Sequence, residues 1–257
     1  MPRRWRPSNG RSPYSPHDRR LHHGPDGAPG ATRPAPERSS PSPARAAHRR
    51  TDLALLLLTL AAGVTDAVSF LGLGSVFTAN MTGNLVMVGM AAGRGESWTE
   101  ILHGDVPRCT ASFAGFTAGM LAGFRLPART GSAALYGTLV LDLLFLTGWA
   151  ATGADPGTAV GAGLILLSAA AMGLQTAAAR RMDRAGITTT FVTGTLTSLV
   201  SGLAGGDRTH AGLRTAVLAA LLAGGVAGGL LLVWAPPVAA MVAPAATAAA
   251  LLLRGRA

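Results

Sequence analysis

Two short polar stretches interrupt long apolar runs, and their residue types suit the binding of a polar solute. The first, FTANMTGNLVMVG at residues 77–89, holds Asn80, Thr82 and Asn84 around a Thr-Gly step. Side chains of this kind cap the first turn of a helix, where free N–H groups and the positive end of the helix dipole attract an anion or a polar group. Because lipid offers no hydrogen-bond partners, this stretch predicts a helix end that faces a cavity or protein.

The second polar stretch, at residues 188–204, repeats the Thr-Gly step of the first. Residues 81–85 (MTGNL) correspond to residues 192–196 (VTGTL) at an offset of 111. We predict that each step begins a half-helix, capped by Thr82 or Thr193, and that an extended arm leads into it from one membrane face. The alternative is two unbroken helices whose Thr and Asn side chains hydrogen-bond to their neighbours. The predicted substrate-binding residues come from both stretches and are Asn80, Thr82, Gly83, Asn84, Thr190, Thr193, Gly194 and Thr195.

Two carboxylates lie near the centres of apolar segments, where an ionised side chain costs at least about 2.5 kcal/mol. They are Asp66 and Asp142, and no basic residue lies at a matching depth in the sequence. Protonation or a bound cation would lower this cost, so we predict a proton- or cation-coupling role for both. We assign Gln175 to the same coupling site, because a second alignment, of residues 63–67 with residues 173–177, matches it to Thr65. The alternative for Asp66 is a carboxyl group that hydrogen-bonds to Thr or Asn for packing, and Asp142 has no evident counterpart in the second half.

The elements that must position these residues are apolar segments typical of a polytopic membrane protein. Only 13% of the 257 residues are charged, and the apolar residues form runs near the roughly 20 residues that cross a bilayer. Eight segments can be marked, at residues 53–73, 76–93, 106–124, 133–152, 158–178, 188–204, 212–234 and 237–253. Residues 1–52 are rich in arginine and proline and predict a disordered cytoplasmic tail. Residues 53–253 are the predicted membrane domain, and residues 254–257 are its cytoplasmic end.

Arginine placement favours a topology in which the second and sixth segments do not cross. If all eight crossed with the N-terminus inside, Arg180, Arg181 and Arg184 would face outside together with Arg125 and Arg129, against the positive-inside bias. If those two segments enter and return on one side, all five arginines lie inside. We therefore predict an all-α bundle of six transmembrane helices and two re-entrant half-helices. Its two repeats, residues 53–152 and 158–253, would have inverted topology, as in many secondary transporters.

Small residues recur at four-residue spacing on two segments. Gly115, Gly119 and Gly123 form one such face, and Gly224 and Gly228 form another. Small faces let helices approach closely. Internal packing would use them, and so would a homodimer.

Two blocks of the chain carry a resemblance to a known family. The sequences GVTDAVSFLGLGSVFTANMTGNLVMVG (63–89) and AMGLQTAAARRMDRAGITTTFVTGTLTSL (171–199) are similar to those of the YoaK family of bacterial integral membrane proteins, a domain of unknown function. The resemblance covers roughly residues 53–253 and leaves the tail outside. It implies a multi-pass protein of the bacterial plasma (inner) membrane with about six spans, and it brings no agreed substrate or reaction.

The residues themselves predict a secondary transporter or channel-like carrier for a small polar or anionic solute. No nucleotide loop, His-Glu metal motif or Gly-x-Ser-x-Gly elbow is present, so an enzyme is not expected. The expected partners are the lipid bilayer and the solute; no metal, cofactor or nucleic acid is expected. The alternative is a membrane scaffold or assembly protein that does not transport, in which the Thr-Gly stretches serve only helix packing.

Overall fold

The computed structural model describes residues 43–94, 105–127, 132–152, 158–182 and 192–255. Over these ranges the protein is all-helical, as the apolar runs predicted. The eight helices are α1 (Pro43–Gly72), α2 (Met81–Gly93), α3 (Val106–Arg125), α4 (Ala133–Thr152), α5 (Thr158–Arg181), α6 (Val192–Ala204), α7 (Ala211–Trp234) and α8 (Pro236–Gly255). The predicted tail boundary at residue 52 falls inside α1, because an alanine- and arginine-rich stretch after Pro43 continues the helix. Residues 1–42 lie outside the described ranges.

Five of the described helices are long and apolar enough to cross a membrane. They are Ala44–Gly72, Ala133–Thr152, Ala159–Arg181, Ala211–Trp234 and Pro236–Gly255. The remaining predicted span is α3, which has 20 residues but is less apolar than these five helices. By contrast α2 and α6 have 13 residues each, or about 20 Å at 1.5 Å per residue, which is short of the roughly 30 Å hydrocarbon core. For residues 76–93 the unbroken-helix alternative is wrong, because the helix begins only at Met81.

Two apolar clusters lie at opposite ends of α1. The first cluster joins the N-terminal half of α1 and the start of α4 to the ends of α5 and α8, through residues that include Leu55, Leu135, Ala178 and Leu251. The second cluster joins the C-terminal half of α1 and the end of α4 to the starts of α3, α5 and α8, through residues that include Val68, Cys109, Phe145, Ile165 and Ala239. Thus α1 and α4 run in one direction, and α5 and α8 run in the other.

Glycines lie at two close helix crossings. At the crossing of α1 and α7, a Cβ on Gly224 would overlap the carbonyl oxygen of Leu60. At the crossing of α3 and α5, a Cβ on Gly119 would overlap the carbonyl oxygen of Ala170. Both predicted small faces therefore pack inside the chain, as the internal-packing alternative proposed. Since these faces are already occupied, they are poor surfaces for a homodimer, the alternative use of them.

Candidate functional site: a cavity at the starts of two short helices

A left-handed turn leads the chain from α1 into irregular backbone. Gly74 has φ of 105° and Ser75 has φ of 55°, and the Ser75 N–H donates to the carbonyl oxygen of Phe70 at 2.9 Å. The glycine adopts this conformation without steric cost, whereas Ser75 is held in it by its surroundings. The turn lets residues 76–80 run back along the inner face of α1 before α2 begins.

The carboxylate of Asp66 holds this irregular segment against α1. Its Oδ1 accepts the backbone N–H groups of Thr78 at 2.8 Å and Ala79 at 2.7 Å, and the hydroxyl of Thr78 lies at 3.5 Å. The observed contacts agree with the packing alternative for Asp66, although its main partners are backbone groups rather than side chains. Such N–H groups need a protein acceptor, because lipid would provide none.

Asn84 holds the other side of the same segment. Its Oδ1 accepts the N–H of Phe77 at 3.0 Å, and its Nδ2 donates to the carbonyl oxygen of Phe77 at 2.6 Å. Ser112 on α3 donates its hydroxyl to the same carbonyl oxygen at 2.6 Å and accepts from Asn84 Nδ2 at 3.1 Å. Asn84 is 1% exposed and does not line the cavity described below, so it serves the backbone and is not placed to bind a solute as predicted. Sequence reasoning missed Ser112, which lies in an apolar segment outside both polar stretches.

The caps of the two short helices differ from the prediction. Asn80, with φ of −93° and ψ of 76°, caps α2 through an Oδ1 that lies 3.5 Å from the N–H of Gly83. Thr82 is already the second helical residue, so the assignment of Thr82 as the cap is wrong, because a capping residue has non-helical backbone angles. Thr193 is likewise the second residue of α6 and cannot be its cap.

A cavity of about 1180 Å³ lies between α1, α2, α6 and α7. The first turn of α2 contributes Thr82 and Gly83, with the cap Asn80, and the first turn of α6 contributes Val192 and Thr193. Asp66 and the stacked rings of Phe70 and Phe77, whose centroids are 4.7 Å apart, form the wall from α1 and its following turn. The starts of both short helices therefore border one space.

The remaining predicted site residues that the structure describes lie outside the lining of this cavity. Thr195 is buried at 3% exposure, and neither it nor Gly194 lines the cavity; Thr190 falls outside the described residues. Gln175 is fully buried where α5 meets α1, and its Nε2 donates to the carbonyl oxygen of Leu58 at 3.0 Å. Asp142 lies between α4 and α8, where its Oδ2 accepts the hydroxyl of Thr247 at 3.0 Å. The two carboxylates thus belong to different places in the bundle.

The cavity wall is mostly apolar, with few polar groups. Among the described residues that line it, Asp66 is the only ionisable one, and the hydroxyl and amide groups come from Asn80, Thr82 and Thr193. An apolar wall with a few fixed polar groups is typical of small-molecule sites. Across the described part of the chain, no group of three or more His, Cys, Asp or Glu side chains could hold a metal ion.

Comparison with known proteins gives a family but no solved relative. Residues 54–253 match the family model described as "Protein of unknown function (DUF1275)". The chain is also similar to the UPF0700 transmembrane protein YoaK of Bacillus subtilis (strain 168), with 35% identity over 164 residues, which cover 62% of this chain and 69% of that protein. No solved structure matches the chain.

Proposed function

The chain belongs to the DUF1275 family of multi-pass integral membrane proteins, and from this premise we propose that it is a secondary transporter or channel-like carrier and not an enzyme. Its binding site is the cavity between α1, α2, α6 and α7. The observation that carries the proposal is that the starts of both short helices and the carboxylate of Asp66 line the same space. Broken helices around a polar site at membrane depth are typical of secondary transporters.

The cavity favours an uncharged polar solute with an apolar part over an anion. The dipoles at the starts of α2 and α6 attract negative charge, but the Asp66 carboxylate repels it at close range. No arginine or histidine lines the described wall to offset that repulsion. Hydroxyl and amide groups would orient the polar part of the solute, and the Phe70 and Phe77 rings would pack against its apolar part.

The directions of the helices support six spans and two re-entrant half-helices. α1 ends at the second cluster and α3 begins there, so α2 enters and leaves on one side. α5 ends at the first cluster, and α7 contacts the second cluster near its own end, so α6 enters and leaves on the opposite side. The corresponding helices α1 and α5 then run in opposite directions, which is the relation expected of an inverted repeat.

The contacts at the two glycine crossings give independent support for the repeat. Each crossing pairs the first helix of one half with the third helix of the other half: α1 crosses α7, and α5 crosses α3. Residue by residue, the contacts correspond: Gly224 meets Leu60 as Gly119 meets Ala170, Gly63 meets Leu221 as Gly173 meets Phe116, and Gly228 meets Ala67 as Gly123 meets Ala177. In every case the paired residues of α1 and α5 are 110 positions apart in the sequence, and those of α3 and α7 are 105 positions apart. Chance similarity among Ala, Gly and Leu does not account for matching contacts.

We further propose that the first cluster faces the cytoplasm of a bacterial cell, with the N-terminus on that side. Most arginines at helix ends lie there, at the start of α1 and at the ends of α3, α5 and α8: Arg45, Arg49, Arg50, Arg125, Arg180, Arg181 and Arg254. The positive-inside bias then orients the protein in the plasma (inner) membrane.

Thiol labelling of intact cells tests this topology. In a Cys109→Ala background, a cysteine at Asp105, at the start of α3, should react with a membrane-impermeant reagent. A cysteine at Arg180, at the end of α5, should react only after the cells are permeabilised. Eight full crossings with the N-terminus inside would reverse the two results, so reversed labelling would reject the re-entrant topology with a cytoplasmic N-terminus.

Solute binding tests the proposed site through residues of the wall. We expect some member of a panel of sugars, amino acids, polar amphiphiles and small anions to raise the thermal midpoint of the purified protein. Thr193→Val should weaken that binding about tenfold, because one hydrogen bond to the solute is lost. Thr197→Val is the matched control, since Thr197 is exposed on the same helix and lies outside the cavity lining.

Uptake into proteoliposomes separates transport from binding alone. A stabilising solute that accumulates inside vesicles, with uptake reduced by Thr193→Val, would support a carrier. If no solute in the panel stabilises the protein, a scaffold or assembly role is favoured instead.

Asp66 is the proposed coupling carboxylate. The substitution Asp66→Asn should therefore abolish the dependence of uptake on an ion gradient and leave solute binding measurable.

A further inference from the structure

A second, much smaller polar cavity lies outside the proposed solute site. Its volume is about 10 Å³, and it is bounded by α1, α4, α5 and α8. Its polar wall consists of Asp142, Thr65 and Ser168, and Thr247 bonds to the Asp142 carboxylate next to it. A cavity of this size admits one particle no larger than a water molecule.

The Asp142 carboxylate lacks a compensating partner of full charge. It is 4% exposed, and Thr247 is the only hydrogen-bond donor to it among the described residues, through Oδ2. No arginine or histidine contributes to the described wall of the cavity. A buried carboxylate with one neutral donor is stabilised either by a proton or by a positive charge beside it, and the cavity provides room for a small cation.

The hydroxyl oxygens of Thr65 and Thr247 both remain able to accept a contact. Thr65 donates its hydroxyl proton to the carbonyl oxygen of Ala61 at 2.9 Å, and Thr247 donates its own to Asp142. Each oxygen therefore retains acceptor capacity, while its proton is directed elsewhere. An oxygen set of this kind suits a hard cation.

We propose that this cavity binds one dehydrated sodium ion, held by the Asp142 carboxylate and the hydroxyl oxygens of Thr65 and Ser168, while Thr247 orients the carboxylate. One carboxylate balances one positive charge, so a divalent ion would remain uncompensated. Potassium is larger and would force the four helices apart. Binding of this ion does not depend on the proposed transport.

The site joins the two halves of the chain. Asp142 and Thr247 are separated by 105 residues, the same offset that relates α3 to α7, so they are equivalent positions on α4 and α8. Asp142 therefore does have a counterpart in the second half, contrary to the sequence-based expectation. An ion bound here would link α1, α4, α5 and α8 where the two halves of the chain meet.

Equilibrium binding of radioactive sodium to the purified full chain in detergent, with choline as the balancing salt, tests the proposal. We expect about one sodium ion per chain, with potassium competing only weakly. Ser168→Ala should lower the sodium affinity about tenfold, and Asp142→Asn should abolish binding. Thr147→Val is the matched control, because Thr147 is an exposed hydroxyl on the same helix as Asp142 and lies outside the cavity.

The outcomes separate this site from the solute cavity. Thr193→Val should leave sodium binding intact even where it removes solute binding, and sodium binding should persist if no solute is ever found. Folding of each variant is checked by its thermal midpoint in choline, and Ser168→Ala carries the test if Asp142→Asn does not fold. Folded protein that binds no sodium would overturn the proposal, as would affinity unchanged by Ser168→Ala; a water or a proton would then occupy the cavity.

Discussion

Gly224→Ala is expected to lower the free energy of unfolding by about 1–3 kcal/mol or more, a large loss for a single methyl group. A Cβ at this position would overlap the carbonyl oxygen of Leu60 and press on the Cα of Gly63, and both are backbone atoms. Relief would require α1 and α7 to separate, which would loosen the wall of the solute cavity as well. The measurement is the thermal midpoint of the detergent-purified protein, followed by size-exclusion chromatography.

Gly225→Ala is the control, one residue further along α7. A Cβ there meets nothing within 4 Å, so the substitution should be neutral or slightly stabilising through helix propensity. Gly119→Ala, at the equivalent crossing of α3 and α5, should resemble Gly224→Ala, since its Cβ would overlap the Ala170 carbonyl oxygen. Equal midpoints for Gly224→Ala and Gly225→Ala would contradict the close crossing.

The second large effect is expected at Asp66, where Asp66→Leu should lower the free energy of unfolding by about 2–6 kcal/mol. The substitution removes the acceptor of the Thr78 and Ala79 N–H groups, and each orphaned buried donor costs about 1–3 kcal/mol. The segment that leads into α2 would then lose its anchor on α1. The measurement is again the thermal midpoint, combined with the yield of monodisperse protein.

Asp66→Asn separates the structural role of this side chain from its charge. An asparagine oxygen can accept the same two N–H groups, so most of the stability should remain, whereas the titratable charge is removed. A stable Asp66→Asn protein that has lost ion-coupled uptake would support both roles of Asp66. If Asp66→Asn and Asp66→Leu are equally destabilised, the carboxylate's charge and not its acceptor geometry holds the segment.

Much of the fold could be predicted because the relevant signals are local. A segment's length and apolarity decide whether it can cross lipid, and polar residues within an apolar run indicate where a helix must break. The Thr-Gly steps therefore indicated correctly that α2 starts in the interior of its segment. Their pattern did not fix the cap, because Asn80 and Thr82 are both capping residue types and only the backbone angles decide between them.

The candidate site could be predicted only in part, for a related reason. Asn84 belongs to the same polar stretch as Asn80, but the α2 helix turns it toward α3 and Ser112, away from the cavity. Asp66 and Asp142 look alike in sequence, both being isolated carboxylates in apolar runs. The packing of the bundle places Asp66 at the irregular segment and Asp142 at a separate small cavity.

By itself the sequence determined that this is a multi-pass helical membrane protein, and it indicated two broken segments and two related halves. These properties follow from composition, run length and internal similarity, which require no knowledge of which helix meets which. Only the tertiary structure decided that the starts of α2 and α6 border one cavity, that Asp66 binds backbone N–H groups 12 and 13 residues away, and that Asp142 meets Thr247. Hydrogen bonds and close crossings depend on atoms brought together from distant parts of the chain, and only the packed helices fix those distances.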